Sequence, residues 1–152
     1  IVETPTFYGS MTAKENLEVS RLVRGIAGKE EIDEVLRLVG LEGTGKKKVK
    51  NFSLGMRQRL GIAIALAGNP DFLVLDEPVT GLDPAAAQDL YRTLDYLNKK
   101  EGIAIIMVTH DLHSALPYAT AILHAGHGSW FYGDTASYLA SPYGEKFGGE
   151  DA

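Results

Sequence analysis

No cysteine occurs among the 152 residues, which removes disulfide frameworks, thiolate metal sites and cysteine nucleophiles from consideration. The absence permits a reducing compartment without requiring one. Long apolar runs are missing as well. The stretches 61–68 and 102–108 fall far short of the roughly 18 residues that a membrane-spanning helix needs. No positively charged and then apolar leader opens the chain. It opens instead on Ile1-Val2-Glu3 without an initiator Met, so the expectation is a sequence that starts inside a fold. An excess of positive charge is also lacking. The formal charge of -5 argues against a nucleic-acid module, whose phosphate contacts need clustered Lys and Arg. The one basic cluster, Lys46-Lys47-Lys48 with Lys50, is short and reads as a solvated loop.

What is present is an ordinary globular composition. Apolar residues make up 45% and charged residues 23%, enough for one domain with a real core. Thr12 followed by Glu15 fits a capping box. A helix over about 13–26 is expected after it, with Leu22, Val23 and Ile26 on one stripe and Gly25 and Gly28 near its end. A second helix is expected over about 30–39, where Ile32, Val35, Leu36 and Val39 recur at amphipathic spacing. Acidic Glu30, Glu31, Asp33 and Glu34 crowd its N-terminus, which the helix dipole favours, and Gly40 suits its C-terminal cap. A third helix, about 54–67, is apolar on most sides and is expected to be well buried.

The pattern then changes. Phe72-Leu73-Val74-Leu75 is a short continuous apolar run, as expected of a strand buried on both faces. Asp83 can cap, and Pro84 open, a helix to about Lys100, followed by a second buried strand over 103–108. Strand, helix, strand implies a parallel βαβ unit. Two shorter strands, 121–124 and 129–132, flank a Gly126/Gly128 turn.

The strongest chemical signal is the end of the first strand, Leu75-Asp76-Glu77-Pro78. It puts two carboxylates at the C-terminal edge of a parallel sheet, where open α/β folds bind ligands. Neighbours on a strand point to opposite sides, so one can hold Mg²⁺ through water while the other polarises an attacking water. Alone, the same run also fits a strand that ends in an acidic turn. Ser53 caps the third helix, whose first turn offers free N–H groups to a phosphate, and Gly55 lets the backbone come close. His110 ends the second strand on the same edge as Asp76 and Glu77. The other histidines, His113, His124 and His127, read as structural.

Four ordered motifs carry a resemblance. Asn51-Phe52-Ser53-Leu54-Gly55-Met56-Arg57-Gln58-Arg59 resembles the signature of the ABC ATPase family, LSGGQ-Q-R in its usual form. Phe72-Leu73-Val74-Leu75-Asp76-Glu77-Pro78 resembles its Walker B segment, Thr80-Gly81-Leu82-Asp83-Pro84 its D-loop, and Val108-Thr109-His110-Asp111 its switch-histidine segment. Leu54 stands for the first Gly and Met56 for the Gln, a form similar to the branch serving bacterial exporters of antibiotics, lantibiotics and related peptides. Ile1-Val2-Glu3-Thr4-Pro5 sits where the family carries its Q-loop, with Glu3 in place of the usual Gln. Residues 5–11 resemble the segment that touches the membrane-spanning partner.

The resemblance implies roles residue by residue. Asp76 is the Mg²⁺ ligand, Glu77 polarises the attacking water, and His110 hydrogen-bonds the γ-phosphate. Ser53 and Gly55 contact the γ-phosphate bound by the other subunit of a head-to-tail ATP sandwich, and Asp83 crosses that dimer interface besides capping its helix. Glu3 faces Mg²⁺ or its water. One near-motif is a decoy. Gly40-Leu41-Glu42-Gly43-Thr44-Gly45-Lys46-Lys47 almost fits G-x-x-x-x-G-K-[ST], but a helix precedes it and Lys47 stands where a hydroxyl is needed. The chain therefore has no recognisable phosphate-binding loop (Walker A), and alone it is expected to bind MgATP poorly.

The expected fold is α/β, an incomplete P-loop NTPase of the ABC ATPase type in one partial domain. It comprises a helical subdomain over 9–67, a mostly parallel sheet core over 68–135 and a tail over 136–152. The expected function is that of the ATP-hydrolysing subunit of an ABC transporter exporting a small molecule or peptide, with ATP and Mg²⁺ as ligands. Its expected partners are a second nucleotide-binding domain and a membrane-spanning permease, not nucleic acid, and its expected location is cytoplasmic, peripheral on the inner face of the cell membrane. A non-transport ABC protein acting on ribosomes or DNA, and a degenerate structural half-site, remain open alternatives.

Overall fold

The computed structural model describes residues 7–26, 31–126 and 128–148, which form two compact units, one ending at His110 and the other starting at Asp111. In the first unit, helix α1 (Ala13–Val23) opens on the expected capping box. The Thr12 hydroxyl accepts from the Glu15 N–H at 3.2 Å, and the Glu15 carboxylate accepts from the Thr12 N–H at 2.6 Å. Lys48 is not merely solvated, because its ammonium reaches the same Glu15 carboxylate at 3.1 Å. α1 stops three residues earlier than its apolar spacing predicts. Gly25 takes φ 66°, a left-handed conformation that ends the helix, and the Ile26 N–H reverts to the Arg21 carbonyl. Leu22 and Val23 consequently lie in solvent, and the buried face is Ala13, Asn16 and Leu17. Buried Asn16 is fully engaged: its amide donates to the carbonyls of Tyr8 and Thr12 and its oxygen accepts from the Tyr8 N–H.

Helix α2 (Glu31–Leu38) buries Ile32, Val35 and Leu36 as its spacing requires, and Val39 beyond it. Gly40, at φ 70°, closes it. Glu30 lies outside the described residues, as does the Glu31 side chain. Residues 40–51 form two short 3₁₀ turns, Glu42–Thr44 and Val49–Asn51. No strand leads into Gly40 and no α-helix opens at Lys46, which leaves the near-motif without the setting of a phosphate loop. Helix α3 (Leu54–Leu66) buries Leu60, Gly61, Ile62, Ala63 and Leu66. Arg59 ties it to its neighbours, donating to the Val39 carbonyl at 2.9 Å and to the Thr93 hydroxyl at 3.0 Å.

Strands β1 (Phe72–Asp76) and β2 (Ala104–Val108) pair in parallel, Phe72 opposite Ala104 and Asp76 opposite Val108. They are joined by helix α4 (Pro84–Lys99), which buries Leu90, Tyr91, Leu94 and Leu97. The βαβ unit is as expected, but burial on both faces is not. Leu73 and Leu75 are buried, whereas Phe72, Ile106 and Val108 are each more than half exposed. Within the described residues the face bearing Leu73 and Leu75 is covered, and the face bearing Phe72, Ile106 and Val108 is largely open.

The second unit starts with a short helix α5 (Leu112–Ala115) capped by Asp111, followed by a 3₁₀ turn, Leu116–Tyr118. Strands β3 (Ile122–Gly126) and β4 (Ser129–Gly133) form an antiparallel hairpin, each slightly longer than its expected range. Helices α6 (Thr135–Leu139) and α7 (Pro142–Gly148) follow. His124 is structural, as expected: its Nδ1 lies 3.1 Å from the Tyr138 hydroxyl, and its ring packs against Tyr138 and Tyr143. His127 lies outside the described residues.

Candidate functional site

The site is built where β1 and β2 end side by side. Beyond Asp76 the chain leaves the strand at Glu77, whose φ of 45° is left-handed. For a residue with a long side chain this costs on the order of 1–3 kcal/mol and persists only where the surroundings enforce it. They do so here: the Glu77 N–H donates to the Val108 carbonyl at 2.9 Å, extending the ladder by one bond. The separation of the two carboxylates therefore arises from a backbone reversal at Glu77 and not from strand alternation alone.

That reversal delivers the Glu77 carboxylate to the end of β2. Its Oε1 accepts from the His110 main-chain N–H at 2.9 Å and lies 2.8 Å from His110 Nδ1. Its Oε2 receives the hydroxyls of Thr80 and Thr109 at 3.3 and 3.4 Å. Partial burial pushes the Glu77 carboxyl up. The hydrogen bonds from the His110 side chain and main chain, the His110 charge and the Thr80 hydroxyl outweigh this, so the group sits below the ordinary glutamate range. Glu77 is therefore ionised and oriented at neutral pH. The Glu77 side chain is 32% exposed against 77% for His110, so the pair lines a surface and is not sealed in a core.

Asp76 ends β1 exposed, opposite Val108. Among the described residues no group of three acidic or histidine side chains is gathered as a metal cage. Asp76 with its open carboxylate fits the other arrangement, a Mg²⁺ ion held by one protein carboxylate together with phosphate oxygens and water.

From Glu77 a turn leads to α4. Pro78 and Val79 anchor it in the core, Gly81 takes φ 77°, and Asp83 accepts from the Ala86 N–H at 3.0 Å as the helix cap. The turn packs on the start of α3, because a Cβ on Gly81 would stand 3.2 Å from the Leu54 side chain. Ser53 is the expected N-cap, its hydroxyl accepting from the Met56 N–H at 3.2 Å. The N–H groups of Leu54 and Gly55, in the first turn, have no intrahelical acceptor. Gly55 is not demanded by the packing of this chain: a Cβ there would meet Ala86 and Leu82 at 3.7 Å, ordinary contact. A ligand approaching the backbone is a reason for glycine that the fold itself does not supply.

The structure thus brings Asp76, Glu77 and His110 to one sheet edge, and Ser53, Gly55 and Asp83 to the adjoining junction of α3 with the turn. Glu3 lies outside the described residues. Sequence reasoning gave no role to Thr80 and Thr109. The local signal was their position, Thr109 one residue before His110 and Thr80 three residues after Glu77 in a turn.

The chain is similar in sequence and fold to known proteins. The family model described as "AAA domain, putative AbiEii toxin, Type IV TA system" matches residues 7–115. The bacitracin transport ATP-binding protein BcrA of Bacillus licheniformis is 46% identical over 128 residues, covering 83% of this chain and 42% of that protein. The lantibiotic transport ATP-binding protein SrtF of Streptococcus pyogenes is 42% identical over 112 residues, covering 74% of this chain and 48% of that protein. Two solved structures share the fold. The ADP conformation of an ATP-binding cassette of an ABC transporter superposes with a TM-score of 0.78 at 24% identity, over 93% of this chain and 64% of that one. A dimeric post-hydrolysis ATP-binding cassette bound to ADP and Pi gives 0.71 at 25% identity, over 89% and 61%. The chain belongs to the family of AAA-type P-loop ATPases whose model it matches, and its ABC-type relatives include ATP-binding proteins of bacitracin and lantibiotic transport. It spans less than half the length of these curated relatives.

Proposed function

We propose that this chain is part of the ATP-hydrolysing subunit of an ABC transporter that couples hydrolysis to export of a small molecule or peptide. The observation that carries the reading is the Glu77 carboxylate, ionised and held against His110 at the edge of the parallel sheet beside Asp76. In this reading Glu77 takes a proton from the water that attacks the γ-phosphate, and His110 orients that water and the phosphate. Asp76 holds Mg²⁺, which supplies charge neutralisation on the phosphate oxygens. Ser53 and the free N–H groups of Leu54 and Gly55 present the α3 N-terminus to the phosphate of a second subunit. Asp83 joins that head-to-tail contact, and the role of Glu3 toward Mg²⁺ rests on the resemblance of residues 1–5 to the family's Q-loop alone. The dimeric cassette among the structural relatives supports the pairing.

The remaining partner is a membrane-spanning permease, and the subunit works in the cytoplasm, peripheral on the inner face of the membrane. No helix among the described residues is long and apolar enough to cross a membrane, so in this reading attachment rests on protein contacts. The names of the relatives support a peptide or antibiotic as cargo. The test compares the full-length protein with the present chain. The full-length protein should hydrolyse MgATP and co-purify with a membrane protein, while the chain alone should show no micromolar MgATP affinity by calorimetry. Co-purification with ribosomes, or tight Mg-dependent binding by the chain alone, would contradict the proposal.

A further inference from the structure

The two oxygens of the Glu77 carboxylate are held differently. Oε1 faces two nitrogen donors at 2.8 and 2.9 Å, ordinary lengths for N–H···O bonds. Its acceptor capacity is taken. Oε2 faces the hydroxyls of Thr80 and Thr109, at 3.3 and 3.4 Å. These are longer than the usual 2.5–3.0 Å of an O–H···O bond. Two long contacts from opposite chain segments align an oxygen without saturating it. Thr80 sits in the turn after β1, and Thr109 directly follows β2. Neither segment alone would fix the carboxylate plane. Catalytic hydrogen bonds are often long in the unliganded state and tighten when substrate is bound.

We propose that Oε2 is the oxygen of Glu77 that accepts the proton, and that Thr80 and Thr109 are positioning residues that hold it. The inference rests on the ATPase reading above. In the step, one O–H bond of the attacking water breaks and its proton goes to Oε2. The water oxygen bonds to the γ-phosphorus, and the bond from that phosphorus to its bridging oxygen breaks, ADP leaving with the electron pair. Oε1 stays with His110 throughout, so the carboxylate changes partners at one oxygen only.

Replacing Thr by Val keeps shape and removes the hydroxyl, and replacing Thr by Ser keeps the hydroxyl. The experiment measures kcat and KM for MgATP in the full-length protein bearing Thr80→Val, Thr109→Val, and the corresponding Ser variants, with Glu77→Gln as reference. Each Val variant should lower kcat by about tenfold, the worth of roughly one oriented hydrogen bond, with KM within about twofold. Each Ser variant should restore kcat to near the parent value, which a merely structural role would not produce. Thr80 is exposed, so Thr80→Val keeps the test open if substitution at Thr109 impairs folding. Parent turnover with unchanged kcat in both Val variants would overturn the inference while leaving the ATPase reading intact. A rise in KM at constant kcat, or a failure of Ser to rescue, would overturn it equally. Absence of turnover in the parent, or full turnover in Glu77→Gln, would overturn both.

Discussion

The two ends of the turn between β1 and α4 are finished to different degrees. At the Glu77 end, both carboxylate oxygens have partners inside the chain, and a strained backbone is held in place by a bond to Val108. At the signature end, the Ser53 cap is made, but the N–H groups of Leu54 and Gly55 have no acceptor within the helix and Gly55 has room for a methyl. One end carries its own orientation. At the other, the first-turn N–H groups meet no acceptor in the helix. Under the proposed reading, that contrast is what a head-to-tail arrangement would require, with the carboxylate prepared in one subunit and the phosphate contact offered to another.

The contrast can be broken from either end. His110→Ala in the full-length protein should lower turnover by about 10²-fold. The main-chain N–H at position 110 still holds Oε1, so the loss should stay smaller than that of the carboxylate itself. An effect on MgATP affinity with normal turnover would move His110 out of the hydrolytic step. Gly55→Ala should cost about tenfold in turnover, roughly 1.4 kcal/mol, while the thermal midpoint holds steady. A falling midpoint would show that the glycine serves packing after all. Asp83→Ala removes the α4 cap and should destabilise the protein by about 1 kcal/mol in urea unfolding, besides weakening dimer formation. Stability loss alone would restrict Asp83 to the cap.

The smallest effect concerns the α1 cap, remote from both ends. The Thr12 N–H, foremost, and the Lys48 ammonium hold the Glu15 carboxyl below its ordinary range. A depressed carboxylate stabilises the fold above its unfolded pKa, and this contribution is lost as pH falls through the folded value. The midpoint of urea unfolding should therefore drop in the acid range, and Glu15→Gln should flatten that part of the curve. Because the group is solvent-exposed, the change is small.

Much of this was legible in the sequence because it is local. The capping box at Thr12 and Glu15, the Ser53 and Asp83 caps and the α2 stripe each depend on residues within one or two turns. The order of motifs placed Asp76, Glu77 and His110 on one edge for a similar reason, since a βαβ unit leaves its parallel strand ends adjacent. The misses have a common cause in what lies across the chain. Leu22 and Val23 fit a helical stripe, yet the left-handed Gly25 ends the helix with those residues in water. The runs in β1 and β2 spell burial on both faces, whereas the described residues cover one. The hydroxyls of Thr80 and Thr109 meet at Glu77 because of a positive φ at a glutamate, which no propensity would assign.

If the carboxylate held by His110 drives hydrolysis and does not merely bind nucleotide, turnover and affinity must separate when it is neutralised. Steady-state turnover of the full-length Glu77→Gln protein, measured together with MgATP affinity, decides the point. Turnover should fall by roughly 10²- to 10⁴-fold while affinity stays within a few-fold of the parent. Near-normal turnover would contradict this role and remove Glu77 from the chemistry.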